Sequence, residues 1–227
     1  MSDAVDCGLH RACVAAPPQP SHLAGAGAFE QICDGIASVG IAVVDEFIPA
    51  PHIAALAADA RQRGAAGAFR PAGIGRGTAR IQQTETRGDR ILWLDDADLA
   101  PPVRAAIAAL NGLRAALNAT LFLGLCTFES HYAIYPPGAV YLRHRDRFRD
   151  DDGRVLSCVL YLNADWGAAQ GGALRIFGDD DVERDILPTA GTLVCFRSER
   201  FDHEVLAATR ERLSLTGWFK RRDTQPE

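Results

Sequence analysis

The hydrophobic positions in the first half of the chain recur at the spacing of helix faces. Ile53, Leu56 and Ala57 share one face after Pro51, a residue that suits the first turn of a helix. Similar patterns, separated by short apolar runs, predict three helices and two strands. The helices are expected over Phe29 to Ser38, from Pro51 onward and over about Val103 to Leu117, and the strands over Ile41 to Val44 and Arg90 to Leu94.

From Phe122 onward the pattern changes to short alternating or apolar runs, separated by turn signals such as Pro136-Pro137-Gly138 and Gly171-Gly172. Six strands are predicted, at Thr127 to Tyr135, Val140 to Asp146, Val155 to Asn163, Ala173 to Phe177, Thr192 to Arg197 and Arg212 to Phe219. Helices followed by many short strands indicate a mainly β fold, either a sandwich or a barrel backed by helices.

The ends of this pattern set the domain organisation. Residues 1 to 24 have no sustained period and contain several prolines, so they are predicted to form a poorly ordered extension before a single domain over residues 25 to 227. The segment from Gly64 to Thr86 is rich in glycine and arginine but lacks the spacing of a phosphate-binding loop. A mobile surface loop is expected there, of the kind that often covers an active site.

Composition and charge limit the kinds of partner and the compartment that are expected for this chain. The 227 residues carry a formal net charge of -5, which gives no electrostatic reason to expect nucleic acid or an anionic membrane as a partner. No apolar stretch is long enough to cross a bilayer, and the N-terminus has no signal-peptide pattern. The six cysteines form no CxxC pair, which is typical of reduced thiols. A cytoplasmic protein is therefore predicted, and its oligomeric state is left open.

The candidate chemistry begins with His144 and Asp146. Side chains two residues apart on a strand point to the same side, so this pair offers two metal ligands on one face. A histidine from a distant strand, for which His203 is the candidate, would complete two histidines and one carboxylate on one facet of a metal. That arrangement is typical of non-haem Fe(II) oxygenases. Taken alone, the His-x-Asp pair is more often part of a solvated charge run, and His203 could equally be a surface histidine.

A buried arginine is predicted on the last strand. Alternation from Arg212 to Trp218 puts polar residues on one face and apolar residues on the other, so Arg212 is expected to face the inside of the barrel. An arginine buried there needs an anion, either a bound carboxylate or an internal Asp or Glu. Arg210 has the same parity and ranks second because it lies at the start of the strand. Tyr161 could add a hydroxyl donor or be an ordinary core tyrosine.

These motifs together resemble a known family, the 2-oxoglutarate and Fe(II)-dependent dioxygenases. The likeness is to the prolyl 4-hydroxylase branch, which includes the egg-laying-nine type oxygen-sensing hydroxylases and compact bacterial members. The resembling text lies within roughly residues 30 to 220 and comprises 86–93 (TRGDRILW), Tyr135-Pro136, 141–146 (YLRHRD), 161–166 (YLNADW), 171–177 (GGALRIF), His203-Glu204-Val205, Arg212 and Thr216-Gly217-Trp218. The segments after Asp146 and before His203 differ from the oxygen sensors, so their target is not expected to carry over.

The resemblance implies a double-stranded β-helix, or jelly roll, in which His144, Asp146 and His203 bind Fe(II). It implies that Arg212 pairs with the distal carboxylate of 2-oxoglutarate and that O2 is the second co-substrate, with ascorbate as an additional ligand. The same resemblance assigns Tyr161 and Thr216 to assist Arg212, Tyr135, Leu174 and Trp218 to line the pocket, and Arg154, Asp89 and the loop from Gly64 to Asp89 to face the substrate.

The resulting hypothesis is an enzyme that hydroxylates a prolyl residue of a protein or peptide and releases succinate and CO2. Two alternatives stay open. One is a hydroxylase of a small molecule such as a free amino acid, and the other is a metal-bound jelly roll without turnover. A long loop beside an open, charged entrance favours a polypeptide substrate.

Overall fold

The structure, a computed structural model, describes residues 23–24, 27–73, 85–95, 99–146, 153–179 and 182–222. Its helices are α1 (Ala28–Ser38), α2 (Ala50–Ala65) and α3 (Pro101–Leu121), with a short 3-10 turn at Ala168–Gln170. Its strands are β1 (Ile41–Val44), β2 (Arg70–Pro71), β3 (Arg90–Trp93), β4 (Thr127–Tyr135), β5 (Tyr141–His144), β6 (Arg154–Tyr161), β7 (Leu174–Phe177), β8 (Glu183–Ile186), β9 (Leu193–Arg197), β10 (Asp202–Val205) and β11 (Arg212–Lys220).

Two antiparallel sheets form the body of the protein. The major sheet has seven strands in the order β1-β9-β6-β11-β4-β3-β2, and the minor sheet has four in the order β5-β10-β7-β8. Neighbours in these orders are often distant in the chain, as where β11 lies between β6 and β4. This arrangement confirms the predicted mainly β fold and is that of a jelly roll.

The major sheet separates two apolar cores. On one face, leucines of β11 such as Leu213 and Leu215 pack with α1, α2 and α3 in a large core. On the other face, Val159 of β6 packs with Leu174 and Ile176 of the minor sheet in a smaller core. Alternation along β11 directs Leu213 and Leu215 toward the helices and the polar residues Arg212, Ser214 and Thr216 toward the other face, because successive side chains point to opposite faces. One face of the major sheet is thereby left for the space between the two sheets.

The helices follow the predicted pattern and extend beyond it. Pro51 lies in the first turn of α2, and α3 begins at Pro101, since proline lacks the amide hydrogen that the first turn would leave unpaired. The last residue of α3, Leu121, precedes Phe122, whose backbone is left-handed with φ 53°. Among the described residues, no helix is both long and apolar enough to span a membrane.

The structure also differs from the sequence expectations. The surface loop predicted from Gly64 to Thr86 is wrong in its first part, because Gly64 lies inside α2 and Arg70–Pro71 forms β2, which pairs with β3. Residues 74–84 of that segment lie outside the described residues. Residues 1–22 of the predicted extension also lie outside them, whereas Leu23 and Ala24 pack partly buried against the core.

Candidate metal centre and active-site pocket

A cavity of about 400 Å³ opens between the two sheets. The major sheet contributes the polar residues of β11, and the minor sheet contributes residues of β5, β7 and β10. The predicted residues His144, Asp146 and His203 lie at this cavity together with Arg212. Two chemical groups that are more than sixty residues apart in the chain, the histidine–carboxylate pair and the arginine, therefore face one space.

Three potential ligand residues converge at the minor sheet. His144 ends β5 and stands directly opposite His203 of β10, while Asp146 follows two residues after His144. The Nε2 atoms of His144 and His203 each lie 3.6 Å from a carboxylate oxygen of Asp146. The candidate ligand atoms all lie within 4.8 Å of one another, and no other such group of three or more occurs in the described part of the chain.

Backbone carbonyls orient the two imidazoles. Nδ1 of His144 lies 2.9 Å from the carbonyl oxygen of Leu142, and Nδ1 of His203 lies 3.4 Å from that of Phe201. A proton on each Nδ1 donates to these carbonyls, which leaves the Nε2 lone pairs directed toward the side of Asp146. The ring of Tyr141 stacks on His144 with centroids 3.5 Å apart and further limits its rotation.

The charges of the three residues are those that a cation requires. Burial opposes ionisation of Asp146, yet its pKa is held well below the ordinary value by His203, His144 and a hydrogen bond from Ser157. Burial lowers the pKa of His203 to about 4, although Asp146 opposes this shift. At neutral pH the site therefore holds an ionised carboxylate beside a neutral His203 imidazole. Two imidazoles and one carboxylate on one side of a site fit Fe(II).

Ser157 is a supporting residue that the sequence reasoning missed. Its hydroxyl donates to Oδ2 of Asp146 at 2.7 Å and lies 2.9 Å from the hydroxyl of Ser198. Ser157 is two residues from Val159 and four from Tyr161 on β6, so alternation placed it on the same face as Tyr161. That parity was the available signal, but a serine within an apolar run does not identify the carboxylate that it contacts.

Arg87 and Asp89 form a second supporting pair at the cavity. Nε and Nη2 of Arg87 donate to the two carboxylate oxygens of Asp89 at 2.8 and 3.2 Å, and the guanidinium lies 4.5 Å from the ring centre of Tyr141. Burial disfavours the charged form of Arg87, but the carboxylate of Asp89 raises its pKa. Asp89, assigned to the substrate by resemblance, lines the cavity with both oxygens already bound by Arg87.

Arg212 occupies the position expected from the alternation of β11. It is only 2% exposed, and its Nε donates to the carbonyl oxygen of Gly172 at 2.8 Å. The guanidinium lies 5.2 Å from the ring centre of Tyr135 and 5.0 Å from that of Tyr161. Within the described ranges, no Asp or Glu forms an ion pair with Arg212. An internal salt bridge is therefore absent there, and the cation faces the cavity.

Gly172 must be a glycine for this arrangement. Its φ is +71°, and a Cβ at this position would lie 3.3 Å from Cδ of Arg212 and 2.9 Å from Cβ of Ala208. Both the backbone conformation and the lack of space exclude a larger side chain. The Gly171-Gly172 pair, predicted as a turn, thus also seats the buried arginine.

Tyr161 is fully buried next to Arg212, whose guanidinium lies 5.0 Å from the centre of its ring. Burial raises the pKa of Tyr161 to about 12, with Arg212 partly offsetting the effect, so the hydroxyl remains protonated. That buried hydroxyl has no hydrogen-bond partner among the described residues. Thr216, the second residue assigned to assist Arg212, lines the cavity, and its hydroxyl lies 3.1 Å from that of Ser214.

Arg210, the rival arginine, is placed elsewhere. Its Nη2 donates to the carbonyl oxygens of Ala164 and Asp165, each at 2.7 Å, and its guanidinium lies 4.4 Å from the ring centre of Trp166. It precedes β11 and is not among the residues that line the cavity. The parity shared by the two arginines therefore does not lead to a shared environment.

The opposite end of the cavity carries aromatic and charged residues. A bulge at Val155 turns Arg154 to the cavity side, since Trp218 pairs with Ser157 whereas Lys220 pairs with Arg154. The guanidinium of Arg154 lies 3.6 Å from the ring centre of Trp218 and forms an ion pair with Glu129 at 2.8 Å.

Two aromatic residues in this wall were not predicted. Trp93 and His131 stand opposite each other on β3 and β4 with ring centroids 4.9 Å apart, and Trp218 lies 5.5 Å from His131. Tyr135 and Leu174, both assigned to the lining, do line the cavity. The sequence held Trp93 at the end of a short strand, where its pocket-facing side chain could not be inferred from one isolated position.

Comparison with known proteins agrees with this geometry. Residues 130–220 match the sequence profile of the 2OG-Fe(II) oxygenase superfamily. The crystal structure of a Pseudomonas putida prolyl-4-hydroxylase is 48% identical in sequence, with a TM-score of 0.78 over 86% of this chain and 100% of that chain.

Two curated relatives are longer. Human Egl nine homolog 1 is 32% identical over 142 residues, 60% of this chain and 33% of its own length. The hypoxia-inducible factor prolyl hydroxylase of Caenorhabditis elegans is 28% identical over 201 residues, 84% of this chain and 28% of its own length. The chain thus spans about a third or less of these relatives. With the full-length match to the bacterial structure, it belongs to the 2OG-Fe(II) oxygenase superfamily, whose metal is Fe(II) and whose co-substrate is 2-oxoglutarate.

Proposed function

We propose that this chain is a dioxygenase that hydroxylates a prolyl residue in a protein or peptide, using O2 and 2-oxoglutarate and releasing succinate and CO2. The observation that carries the proposal is the presence of a two-histidine, one-carboxylate cluster and a buried, cavity-facing arginine in one space between the sheets. This chain is 48% identical to a prolyl-4-hydroxylase over the whole length of that enzyme, which supports proline as the acceptor.

In this proposal His144, Asp146 and His203 hold the metal. Bound Fe(II) supplies the redox chemistry that couples oxidative decarboxylation of 2-oxoglutarate to oxidation of a C–H bond. Ser157 supports the ionised form of the Asp146 carboxylate and orients it through its hydrogen bond. The backbone carbonyls of Leu142 and Phe201 orient the two imidazoles.

Arg212 would bind the far carboxylate of 2-oxoglutarate. Its planar guanidinium offers paired donors to a carboxylate, and its burial strengthens that contact because water is excluded. Tyr161, whose buried hydroxyl lacks a partner, and Thr216 at the cavity wall would add donors next to the same carboxylate. Tyr135 and Leu174 would cover the co-substrate from the two sheets.

The wall formed by Trp93, Trp218 and Arg154 supports a polypeptide substrate. Trp93 is 47% exposed, although it is a large apolar side chain, and such exposure is a common property of recognition surfaces. Aromatic rings beside Arg154 suit an apolar prolyl ring followed by polar backbone groups. Ascorbate as a reductant and a cytoplasmic location are part of the same proposal.

The first test addresses the metal and co-substrate. Fe(II) and 2-oxoglutarate are added anaerobically to the metal-free protein, and the visible charge-transfer absorption of the chelate is recorded. The wild type is expected to develop the band and Asp146→Ala to lack it. A folded wild-type protein without the band would contradict the oxygenase function.

The second test addresses the substrate. The loaded enzyme is incubated with a proteome extract in air, and oxidised prolines are sought by mass spectrometry, with Asp146→Ala as the inactive control. Hydroxylated peptides that depend on Asp146 are expected. Turnover of free amino acids with no modified peptide would favour the small-molecule alternative instead.

A further inference from the structure

Three charged residues alternate with the metal-binding histidines. Arg143 and Arg145 stand on either side of His144, and Asp202 precedes His203. Nε of Arg143 donates to Oδ2 of Asp202 at 3.2 Å, and Nε of Arg145 donates to Oδ1 at 2.8 Å. One carboxylate thus binds both arginines, one through each oxygen. We name this cluster of Arg143, Arg145 and Asp202 the outer clamp.

Most of the clamp lies behind the metal site. Successive side chains of a strand point to opposite faces, so Arg143 and Asp202 project to the outer face of the minor sheet, whereas Arg145 follows the last residue of β5 and lies at the edge of the cavity. Phe177 of β7 pairs with Asp202 in register, and the guanidinium of Arg143 lies 4.0 Å from its ring centre. Arg143 is therefore held on two sides, by a carboxylate and by an aromatic ring.

The backbone pairing around His144 is sparse, so side-chain contacts of the clamp can contribute to holding β5 next to β10. β5 pairs with β10 only at His203–His144 and Val205–Tyr141, with an irregularity between these pairs. On its other edge, β5 is joined to the segment 86–88 near Val140 to Leu142. Within the described ranges, no strand pairing continues past His144 toward Asp146. The two arginines therefore add side-chain contacts with β10 to the two backbone pairs that hold this part of the chain.

The energetic role of the clamp is local. The side chains of Arg143, Arg145 and Asp202 are 45%, 47% and 28% exposed, and ion pairs of such exposure contribute little to global stability. Their geometry is nevertheless specific, because both arginines converge on one carboxylate from the two sides of a ligand. A small restoring force at this point acts directly on the distance between His144, Asp146 and His203.

We propose that Asp202, through Arg143 and Arg145, is a positioning residue that holds the segment from His144 to Asp146 at the distance from His203 that a single metal ion requires. This inference rests on the proposed metal function of the three ligands. It predicts an effect on metal affinity and on the local order of β5, with little effect on the stability of the whole protein.

The test uses Asp202→Asn, which keeps the shape of the side chain and removes its charge. The matched control is Asp185→Asn, because Asp185 of β8 binds Arg175 at 2.8 and 2.9 Å on the same outer face, away from the ligands. Co(II) binding to the metal-free protein is titrated by its visible absorption. Asp202→Asn is expected to raise the Kd for Co(II) about tenfold, which is the lower end of the range of effects seen when a residue that orients metal ligands is lost. Asp185→Asn should leave the Kd unchanged.

A second variant guards against an unspecific effect. Arg145→Gln should weaken Co(II) binding in the same direction, and the double variant should lose less than the sum of the two, since both changes break one contact. Hydrogen exchange of the metal-free protein gives a readout without metal. In Asp202→Asn, amides of 141–146 should exchange faster, whereas those of β11 should exchange at the wild-type rate.

The outcomes separate the two proposals. A wild-type protein that binds no Co(II) would overturn the proposed metal function. If the wild type binds Co(II) but Asp202→Asn keeps both the wild-type Kd and the wild-type exchange of 141–146, the clamp is wrong and the metal function stands. An equal loss of affinity in Asp185→Asn would also overturn the clamp, because the effect would then follow the charge of the sheet.

Discussion

Arg212 and Arg210 lie two residues apart, yet they meet different neighbours. Arg212 is buried against Gly172 and faces the cavity, whereas Arg210 lies outside the cavity and donates through Nη2 to the carbonyls of Ala164 and Asp165. A buried cation without an internal carboxylate is costly unless an anion binds it. Arg212 is therefore the arginine that can bind an anion in the cavity.

Arg212→Ala is expected to weaken 2-oxoglutarate binding while metal binding is preserved. Losing a buried charged contact costs about 3 kcal/mol, which is roughly a hundredfold in Kd. Arg210→Ala, the matched control, should leave the Kd unchanged. Calorimetric titration of 2-oxoglutarate into the Mn(II)-loaded protein measures both variants. A larger effect at Arg210 than at Arg212 would reverse the assignment.

Ser157→Ala is expected to reduce metal affinity about tenfold, because Asp146 loses the hydrogen bond that orients its Oδ2. Ser198→Ala is the control, since Ser198 contacts Ser157 without contacting the carboxylate in the described structure. Co(II) titration of the two variants compares them. Equal affinities in Ser157→Ala and Ser198→Ala would mean that the hydrogen bond does not support the metal site.

At the scale of elements, β4 and β11 approach so closely at Gly217 that the glycine is required. A Cβ there would lie 2.5 Å from the carbonyl oxygen of Glu129 and 2.6 Å from a ring carbon of Phe128. Gly217→Ala is therefore expected to lower the free energy of unfolding by about 1–3 kcal/mol through overpacking. The expected change is a lower midpoint in urea denaturation.

Gly64→Ala is the opposite case and serves as the control. Gly64 lies within α2, and an added Cβ would meet its nearest neighbours at 3.7 Å or more, which is ordinary contact. Alanine is preferred over glycine inside a helix, so the free energy of unfolding should rise by about 0.5–1 kcal/mol. A loss of stability at Gly64 would show that the helix packs more tightly there than the structure indicates.

Sequence patterns predicted the elements whose periodicity is local. The three helices and the long strands β4, β6 and β11 follow from spacing alone. The strands β2, β8 and β10 were missed because they are short and mostly polar, whereas the equally short β1, β3 and β7 contain the apolar residues that predict a strand. Glycines around Gly64 suggested a loop, but the packing of α2 overrode that preference.

The candidate site shows the same division. Parity along β11 placed Arg212, and the spacing of His144 and Asp146 named two candidate ligands, with His203 as the candidate third and the family resemblance assigning all three to Fe(II). Asp146 nevertheless lies past the last residue of β5, where strand parity no longer applies. Parity fails at Arg154, because the bulge at Val155 reverses the direction of its side chain. The contacts of Ser157 with Asp146 and of Arg87 with Tyr141 depend on how separate strands meet, which a single sequence does not specify.

At the scale of the whole molecule, the site joins two layers. The metal ligands belong to β5 and β10 of the minor sheet and the segment that follows β5, whereas Arg212 belongs to the major sheet. A metal and a co-substrate bound together would therefore connect the two sheets. Anything that binds the folded state in this way raises its stability by mass action.

Mn(II) and 2-oxoglutarate at about a hundred times their Kd should each stabilise the fold by about 2.7 kcal/mol. The expected result is a rise in Tm with Mn(II), a further rise with 2-oxoglutarate, and a return to the starting value after addition of a chelator. Arg212→Ala should keep the first rise and lose the second. Calorimetric melting curves measure these changes, and an unchanged Tm in the wild type would contradict binding between the layers.

The separation of Arg212 from the three ligands also has a consequence for the choice of co-substrate. Val159 and Leu174 pack against each other between the sheets, so the spacing of the two layers is set by close-packed side chains. Arg212 cannot easily follow a shorter molecule, because Gly172 holds its Nε. The fixed distance between Arg212 and the three metal ligands therefore selects a co-substrate whose carbon chain is long enough to reach both. Oxaloacetate is one methylene shorter than 2-oxoglutarate and should compete poorly in a displacement titration, since it can reach either the metal or Arg212 but not both.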